Sequence, residues 1–349
     1  MKRFDYSFLE NGLLPTKLVN MTSNIYSLRT RAFERKQNNL KVFSELENIA
    51  IIQSVISSNA IEGIVTSDER VREMVNKSSA PQNHNEAEIA GYRDALDRIH
   101  NNFDFVNFDE HDILQLHSIM FSQVEYDYGG KYKTSDNLIM EIDKSGNRKV
   151  RFYPVKAAET HKAMEQLVLA YVEASNNVGI NPLLLIPCVI LDFLCIHPFK
   201  DGNGRLSRLL SLLLLYKAGF DVGKYVSYEE QINKYKLLYY DALENSSIGW
   251  HENENNYFPF VENFLSLLYM CYKELDKRFS VVNGKRIGKS KLIEETVLNS
   301  LTPLSKTDIC AMLPEVSPTT VEAVLGKMVK SESIVKLGDG RNTKYLRNK

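Results

Sequence analysis

Residues 183–196 read LLLIPCVILDFLCI and carry a single charge, Asp192; the twelve that follow, HPFKDGNGRLSR, are the densest polar, glycine-rich stretch of the chain. An apolar run of this length has to be buried on nearly all sides, so the fold must build its core around it. It is too short to span a membrane, which takes about 20 apolar residues, and Asp192 breaks it. A buried helix fits better, with Pro187 expected near the helix start, where a missing N–H is tolerated.

Helical spacing dominates elsewhere. Residues 24–58 place Ile25, Leu28, Phe33, Leu40, Phe43, Leu46, Ile49 and Ile52 at threes and fours, and 86–101, 109–123, 157–174, 205–218, 230–244 and 257–277 read likewise. One segment, 137–153, alternates around a Lys-Ser-Gly-Asn turn and predicts a β-hairpin. A polar, basic linker is expected at 279–288. Beyond it, 289–300, 305–313 and 317–331 predict helices, the last capped by Ser317 and started by Pro318. Two strands around Gly338-Asp339-Gly340 then suggest the wing of a winged helix-turn-helix. The expected organisation is an N-terminal helical region at 1–85, a mostly α core with one hairpin at 86–278, the linker, and a small winged-helix-like unit at 289–349.

The 349 residues suffice for a large core, and a net charge of −1 gives the whole chain no polyelectrolyte character. Four scattered cysteines (Cys188, Cys195, Cys271, Cys310) suit a reducing, cytoplasmic setting, and the N-terminus lacks a signal-peptide apolar stretch. The seven histidines form no HExxH or similar pair, so zinc is not expected.

The chemistry concentrates in HPFKDGNGRLSR. Pro198 ends the apolar helix and leaves His197 at its C-terminus, where an imidazole can take a proton from a hydroxyl. Gly202 and Gly204 let backbone N–H groups approach a ligand, and a helix starting near Gly204 favours an anion. Arg205 and Arg208 lie three apart and can cradle a polyphosphate. Asp201 offers the hard oxygen that Mg²⁺ takes beside phosphates. Separately, a helix-end histidine or a Gly-x-Gly is more often structural. Together and in this order they describe group transfer from a nucleotide to a hydroxyl.

The segment matches HPF-x-D/E-GNGR-x-x-R at every specified position and so resembles the motif of the Fic (filamentation induced by cAMP) family. The likeness extends over roughly 85–270. It implies an all-helical Fic fold that transfers AMP from ATP, with Mg²⁺, to a Ser, Thr or Tyr hydroxyl of a target protein and to the chain itself. On that resemblance His197 is the general base and Asp201 the metal ligand. The nucleotide lies along Gly202, Asn203, Gly204, Arg205, Leu206, Ser207 and Arg208, with Tyr239 and Tyr240 on the adenine side and 134–153 as a flap that aligns the target. GGKYK at 129–133 is similar to the family's G-x-Y-R, with Lys133 in place of arginine.

Ser58 and Glu62 share a helix face that Gly63 closes. The pattern resembles the inhibitory S/T-x-x-x-E-G/N of Fic proteins with their own N-terminal inhibitory helix, which implies that Glu62 pairs with Arg208 and blocks the γ-phosphate. Two other readings stay open: a Fic fold that removes AMP or moves another phosphate-containing group, and a DNA-binding regulator acting through 289–349. From 284 onward the chain has 12 Lys and Arg against 7 Asp and Glu, about +5. The family also makes a homodimer an option; no membrane association is expected.

Overall fold

The apolar run forms one helix, Pro182–Ile196, in which every residue except Pro182 and Leu194 is buried. Asn181 caps it, its side chain accepting from the Leu183 amide at 3.0 Å. The helix begins at Pro182, so Pro187 sits in its second turn rather than at its start. There its ring removes one backbone bond, that to the Leu183 carbonyl.

The computed structural model describes residues 2–76, 79–125, 127–142, 148–279, 289–298, 300, 303–313, 316–338, 340 and 343–348. The N-terminal region holds α1 (Phe8–Asn11), α2 (Thr16–Asn38), α3 (Leu40–Ile61) and α4 (Asp68–Val75). Next come α5 (His84–Asn102), α6 (Glu110–Met120), the strands β1 (Ile139–Ile142) and β2 (Arg148–Phe152), and α7 (Ala157–Ser175). The apolar helix is α8, followed by α9 (Asn203–Lys217), α10 (Tyr228–Lys234), α11 (Lys236–Ser247) and α12 (Phe258–Phe279). The C-terminal unit comprises α13 (Lys289–Leu298), β3 (Leu304–Ser305), α14 (Lys306–Met312), α15 (Pro318–Lys330), β4 (Ile334–Leu337) and β5 (Lys344–Arg347). The body is mostly helical, as the spacing predicts.

Two expected helices are each split. The reading of 24–58 as one helix fails at Asn39, whose backbone leaves the helical region. Its side-chain amide donates to the Arg35 carbonyl at 2.9 Å, so asparagine competes with the backbone ladder. The expected helix at 230–244 likewise breaks at Tyr235, between α10 and α11.

In the core, α8 packs on α7, α9 and α12, while α2 lies along α12 and α3 along α10 and α5. Asp192, the one charge in α8, is fully buried and saturated. It accepts from Trp250 Nε1 at 2.6 Å, the Tyr6 hydroxyl at 2.8 Å and the Tyr257 hydroxyl at 3.0 Å. The N-terminal segment is thereby fastened to the central helix.

The hairpin pairs antiparallel with Met140 opposite Val150, and its register shifts between Ile139 and Met140. Its Lys-Ser-Gly-Asn turn and the linker from 280 to 288 lie outside the described residues. In the C-terminal unit a capping box joins Ser305 and Asp308, and Ser317 caps α15 with Pro318 at its first position. Its sheet order is β3-β5-β4, and α14 rests against α3.

Candidate active site

The chain leaves α8 through a strained residue. His197 adopts φ 51° and ψ 60°, a left-handed backbone that costs a non-glycine residue about 1–3 kcal/mol. Bonds from outside the loop hold it there. Lys133 Nζ donates to the Ile196 carbonyl at 3.2 Å and to Asn137 Oδ1 at 2.8 Å. The Lys133 amide donates to the Pro198 carbonyl at 2.9 Å, and Asn137 Nδ2 to the Phe199 carbonyl at 3.1 Å. Lysine thus fills the place where the resemblance has arginine, and its amine caps the end of α8. Burial lowers its pKa to about 8.

Inside the loop Asn203 acts as a clasp. It accepts from the Phe199 amide at 2.9 Å and donates to the Phe199 carbonyl at 2.8 Å. From below, His117 Nε2–H donates to the Asp201 carbonyl at 3.0 Å while its Nδ1 accepts from the Gly130 amide at 2.9 Å. The His117 ring also stacks on Phe199 at 3.8 Å. Gly202 sits at φ 78°, and a Cβ there would meet the Phe121 ring at 2.8 Å, so only glycine fits. After this turn α9 begins at Asn203, one residue earlier than the sequence suggests.

The loop borders a cavity of about 1200 Å³. Of the residues expected in the site, His197, Asp201, Gly202, Asn203, Gly204, Ser207, Arg208, Tyr239, Tyr240 and Glu62 line it. The hairpin supplies Ile139, Met140 and Arg151 to the same cavity. Arg151 lies over the Tyr240 ring at 5.5 Å and donates to the Tyr240 carbonyl at 3.2 Å, tying hairpin to α11.

Three expected residues stand elsewhere. The Leu206 side chain is fully buried in the core, and its amide donates to the Gly202 carbonyl at 2.9 Å. Leu206 therefore offers a ligand nothing. Arg205 lies beneath the loop, where buried Glu88 draws its guanidinium to 2.6 Å and the Phe121 ring packs on it at 5.2 Å. Ser58 is buried behind Arg208.

His197 Nδ1–H donates to the Leu194 carbonyl at 3.2 Å, which leaves Nε2 as the unprotonated nitrogen of the neutral ring. Burial pushes its pKa down to about 4, so the ring is neutral at ordinary pH.

Across the loop, α3 ends in a Schellman motif. The Ile64 amide donates to the Asn59 carbonyl, the Gly63 amide donates to the Ala60 carbonyl, and Gly63 is at φ 80°. That geometry delivers Glu62 to the cavity. Glu62 Oε1 accepts from Arg208 Nη2 at 2.8 Å, and Arg208 also donates from Nε to Ser58 Oγ at 2.8 Å and from Nη2 to the Ser58 carbonyl at 2.9 Å. Burial opposes ionisation of Glu62, but the Arg208 guanidinium more than offsets it and holds the carboxyl below its usual range. Lys236 Nζ donates to the Ile61 carbonyl at 2.6 Å and fixes the end of α3.

Residues 107–215, which span this loop and both flanking helices, match the Fic/DOC family model. This part of the chain is similar to the Fic/DOC domain. The whole chain is similar in fold to a Fic family protein from Desulfovibrio desulfuricans (TM-score 0.63, 21% identity), covering 96% of this chain and 97% of that one. A Fic protein from C. elegans matches with TM-score 0.57 and 20% identity over 75% of this chain and 74% of that one. In sequence, the chain is 27% identical over 258 residues to a protein named protein adenylyltransferase Fic from Culex quinquefasciatus. That match spans 69% of this chain but 46% of the relative, so the chain spans about half its length. A Fido domain-containing protein of Dictyostelium discoideum is 31% identical over 86 residues, 25% of this chain and 58% of that one.

Sequence reasoning missed several supports of the site: His117, Asn137, Glu88, and the cap supplied by Lys236. None lies near the motif in sequence, and no spacing rule links them to it. Among the described residues no helix is long and apolar enough to cross a membrane.

Proposed function

We propose that the chain is a protein adenylyltransferase held in an inhibited state by Glu62. The observation that carries the reading is a neutral His197 with Nε2 unprotonated, on one cavity with Asp201, the Gly202–Gly204 turn and Arg208. The names of the sequence relatives support the same reaction.

In this reading a target hydroxyl is placed beside the hairpin, and His197 Nε2 takes its proton. The hydroxyl oxygen bonds to the α-phosphorus of ATP as the bond to the β-phosphate oxygen breaks, and diphosphate leaves. The N-terminus of α9 and Arg208 bind the phosphates. Tyr239 and Tyr240 border the nucleoside end. The exposed Asp201 carboxylate, with Oδ1 accepting from the Gly202 amide at 2.6 Å, suits the role of one protein ligand to a Mg²⁺ that keeps its waters and phosphates. Such an ion would neutralise phosphate charge. While Glu62 holds Nη2 of Arg208, that donor is lost to the γ-phosphate.

The test uses Glu62→Gly with ATP labelled at either the α- or the γ-phosphate. Transfer of α-label alone to protein, abolished by His197→Ala, is the expected result. Label that persists without His197 sinks the base assignment; removal of AMP from a modified target, without its addition, selects the hydrolytic alternative. For the C-terminal unit, the element order α13-β3-α14-α15-β4-β5 supports reading it as a winged helix. Salt-dependent DNA binding by the full chain, lost on neutralising Lys327 and Lys330 of α15, would support a regulatory role for it.

A further inference from the structure

His117, on α6, is fully buried and is fixed beneath the loop from three sides. Its Nδ1 accepts from the Gly130 amide at 2.9 Å, its ring stacks on Phe199 with centroids 3.8 Å apart, and its Nε2 lies 3.0 Å from the Asp201 carbonyl oxygen. A backbone N–H can only donate, so Nδ1 carries no proton and the neutral ring holds it on Nε2. The Asp201 carbonyl is thereby held toward α6. In a planar trans peptide the N–H that follows a carbonyl points the opposite way. The Gly202 amide accordingly donates to Asp201 Oδ1 at 2.6 Å, on the side where Asp201 and Gly202 line the cavity.

Gly202, at φ 78° and ψ 1°, has the backbone of the third residue of a type II turn. The type I alternative differs by turning over the peptide before that residue, and glycine accepts either backbone. Gly202 therefore leaves the orientation of the Asp201–Gly202 peptide to its partners. We propose that His117 is a positioning residue for phosphate binding, holding that peptide with its carbonyl beneath the loop and its N–H toward the cavity. This role rests on the reading of the Gly202–Gly204 turn as the phosphate cradle. Turned over, the same peptide would present a carbonyl oxygen to the phosphates and release the Asp201 carboxylate that Gly202 now fixes. An N–H dipole attracts an anion, and a carbonyl in its place repels it.

The test separates the two hydrogen bonds of His117 in full-length Glu62→Gly protein. In His117→Asn the side-chain amide can still accept from Gly130 but is too short to reach Asp201. In His117→Gln it can donate to Asp201 and gives up Gly130. Calorimetry reads the affinities for ATP and for adenosine, both with Mg²⁺. His117→Asn should weaken ATP binding about tenfold, the loss of one charge-assisted bond, and leave adenosine within about twofold. His117→Gln should keep ATP within about threefold of the parent. Should His117→Asn fail to fold, His117→Phe, which keeps the stack on Phe199 and loses the same donor, takes its place. Folded protein without the donor that binds ATP within about twofold of the parent overturns the role. Equal weakening of ATP and adenosine, or equal weakening of ATP in the two variants, overturns it too. If the Glu62→Gly parent binds ATP no more tightly than adenosine, the cradle reading falls and the role of His117 with it. If it binds ATP but transfers no label, the transferase reading falls while the affinities still judge His117.

Discussion

Glu62 and Arg208 meet at 2.8 Å although 146 positions separate them, and both line the cavity beside the loop. Arg208 is placed by the helix after the loop, and Glu62 by a glycine-closed helix end on α3. The two meet because α3 packs against α9, the helix that carries Arg208, and along α5, which itself packs on α9. The contact and the loop are therefore built from the same core.

The closeness of this contact gives a first prediction. A Cβ on Gly204 would lie 2.4 Å from Glu62 Oε1 and 3.4 Å from Arg208 Nη1. Gly204→Ala must push Glu62 aside, and we expect it to cost about 1 kcal/mol of stability in the otherwise unchanged chain. In Glu62→Gly protein the obstacle is gone, and alanine, the better helix former, should be neutral or stabilising. Urea melts of the four proteins give the coupling, expected at about 1 kcal/mol or more; additive effects would contradict the contact.

Asp192 supports a second prediction. It is the sole acceptor shown for the Trp250 indole N–H and for the Tyr6 and Tyr257 hydroxyls. Asp192→Leu leaves these buried donors unmet and should cost at least about 3 kcal/mol. Asp201→Asn, on an exposed carboxylate, should change stability little. Equal costs in thermal melts would contradict this division of roles.

The third concerns pH. Burial holds His100 down to about 3 and His117 down to about 4, and His117 Nδ1 already accepts the Gly130 amide. Folded chains keep both rings neutral, while unfolded chains protonate them below about 6.5. The unfolded state then binds more protons, so stability falls as pH drops from about 6.5 toward 4. Denaturant melts should lose about 2 kcal/mol or more between pH 7 and about 5, and a flat profile would count against the buried neutral rings.

How much of this the sequence shows depends on how local the cause is. The loop is legible because its chemistry is packed into twelve residues, and α8 because an apolar run can only be buried. The end of α3 is legible because Gly63 closes it. Arg205 shows the limit. Its spacing from Arg208 puts both on α9, but Glu88, 117 positions upstream, decides that Arg205 turns beneath the loop. Likewise Asn39 breaks a helix through a side-chain bond that periodicity does not register. His117 looks like an ordinary core residue until the fold brings it under the loop.

The most direct measurement compares ATP-dependent AMP labelling by the unchanged chain and by Glu62→Gly, at matched protein and Mg-ATP concentrations. If Glu62 holds the Arg208 donor that a γ-phosphate needs, the variant labels protein faster by about tenfold or more, the worth of one charge-assisted bond at a buried guanidinium. Labelling by Glu62→Gly that is equal to or slower than that of the unchanged chain would contradict the account.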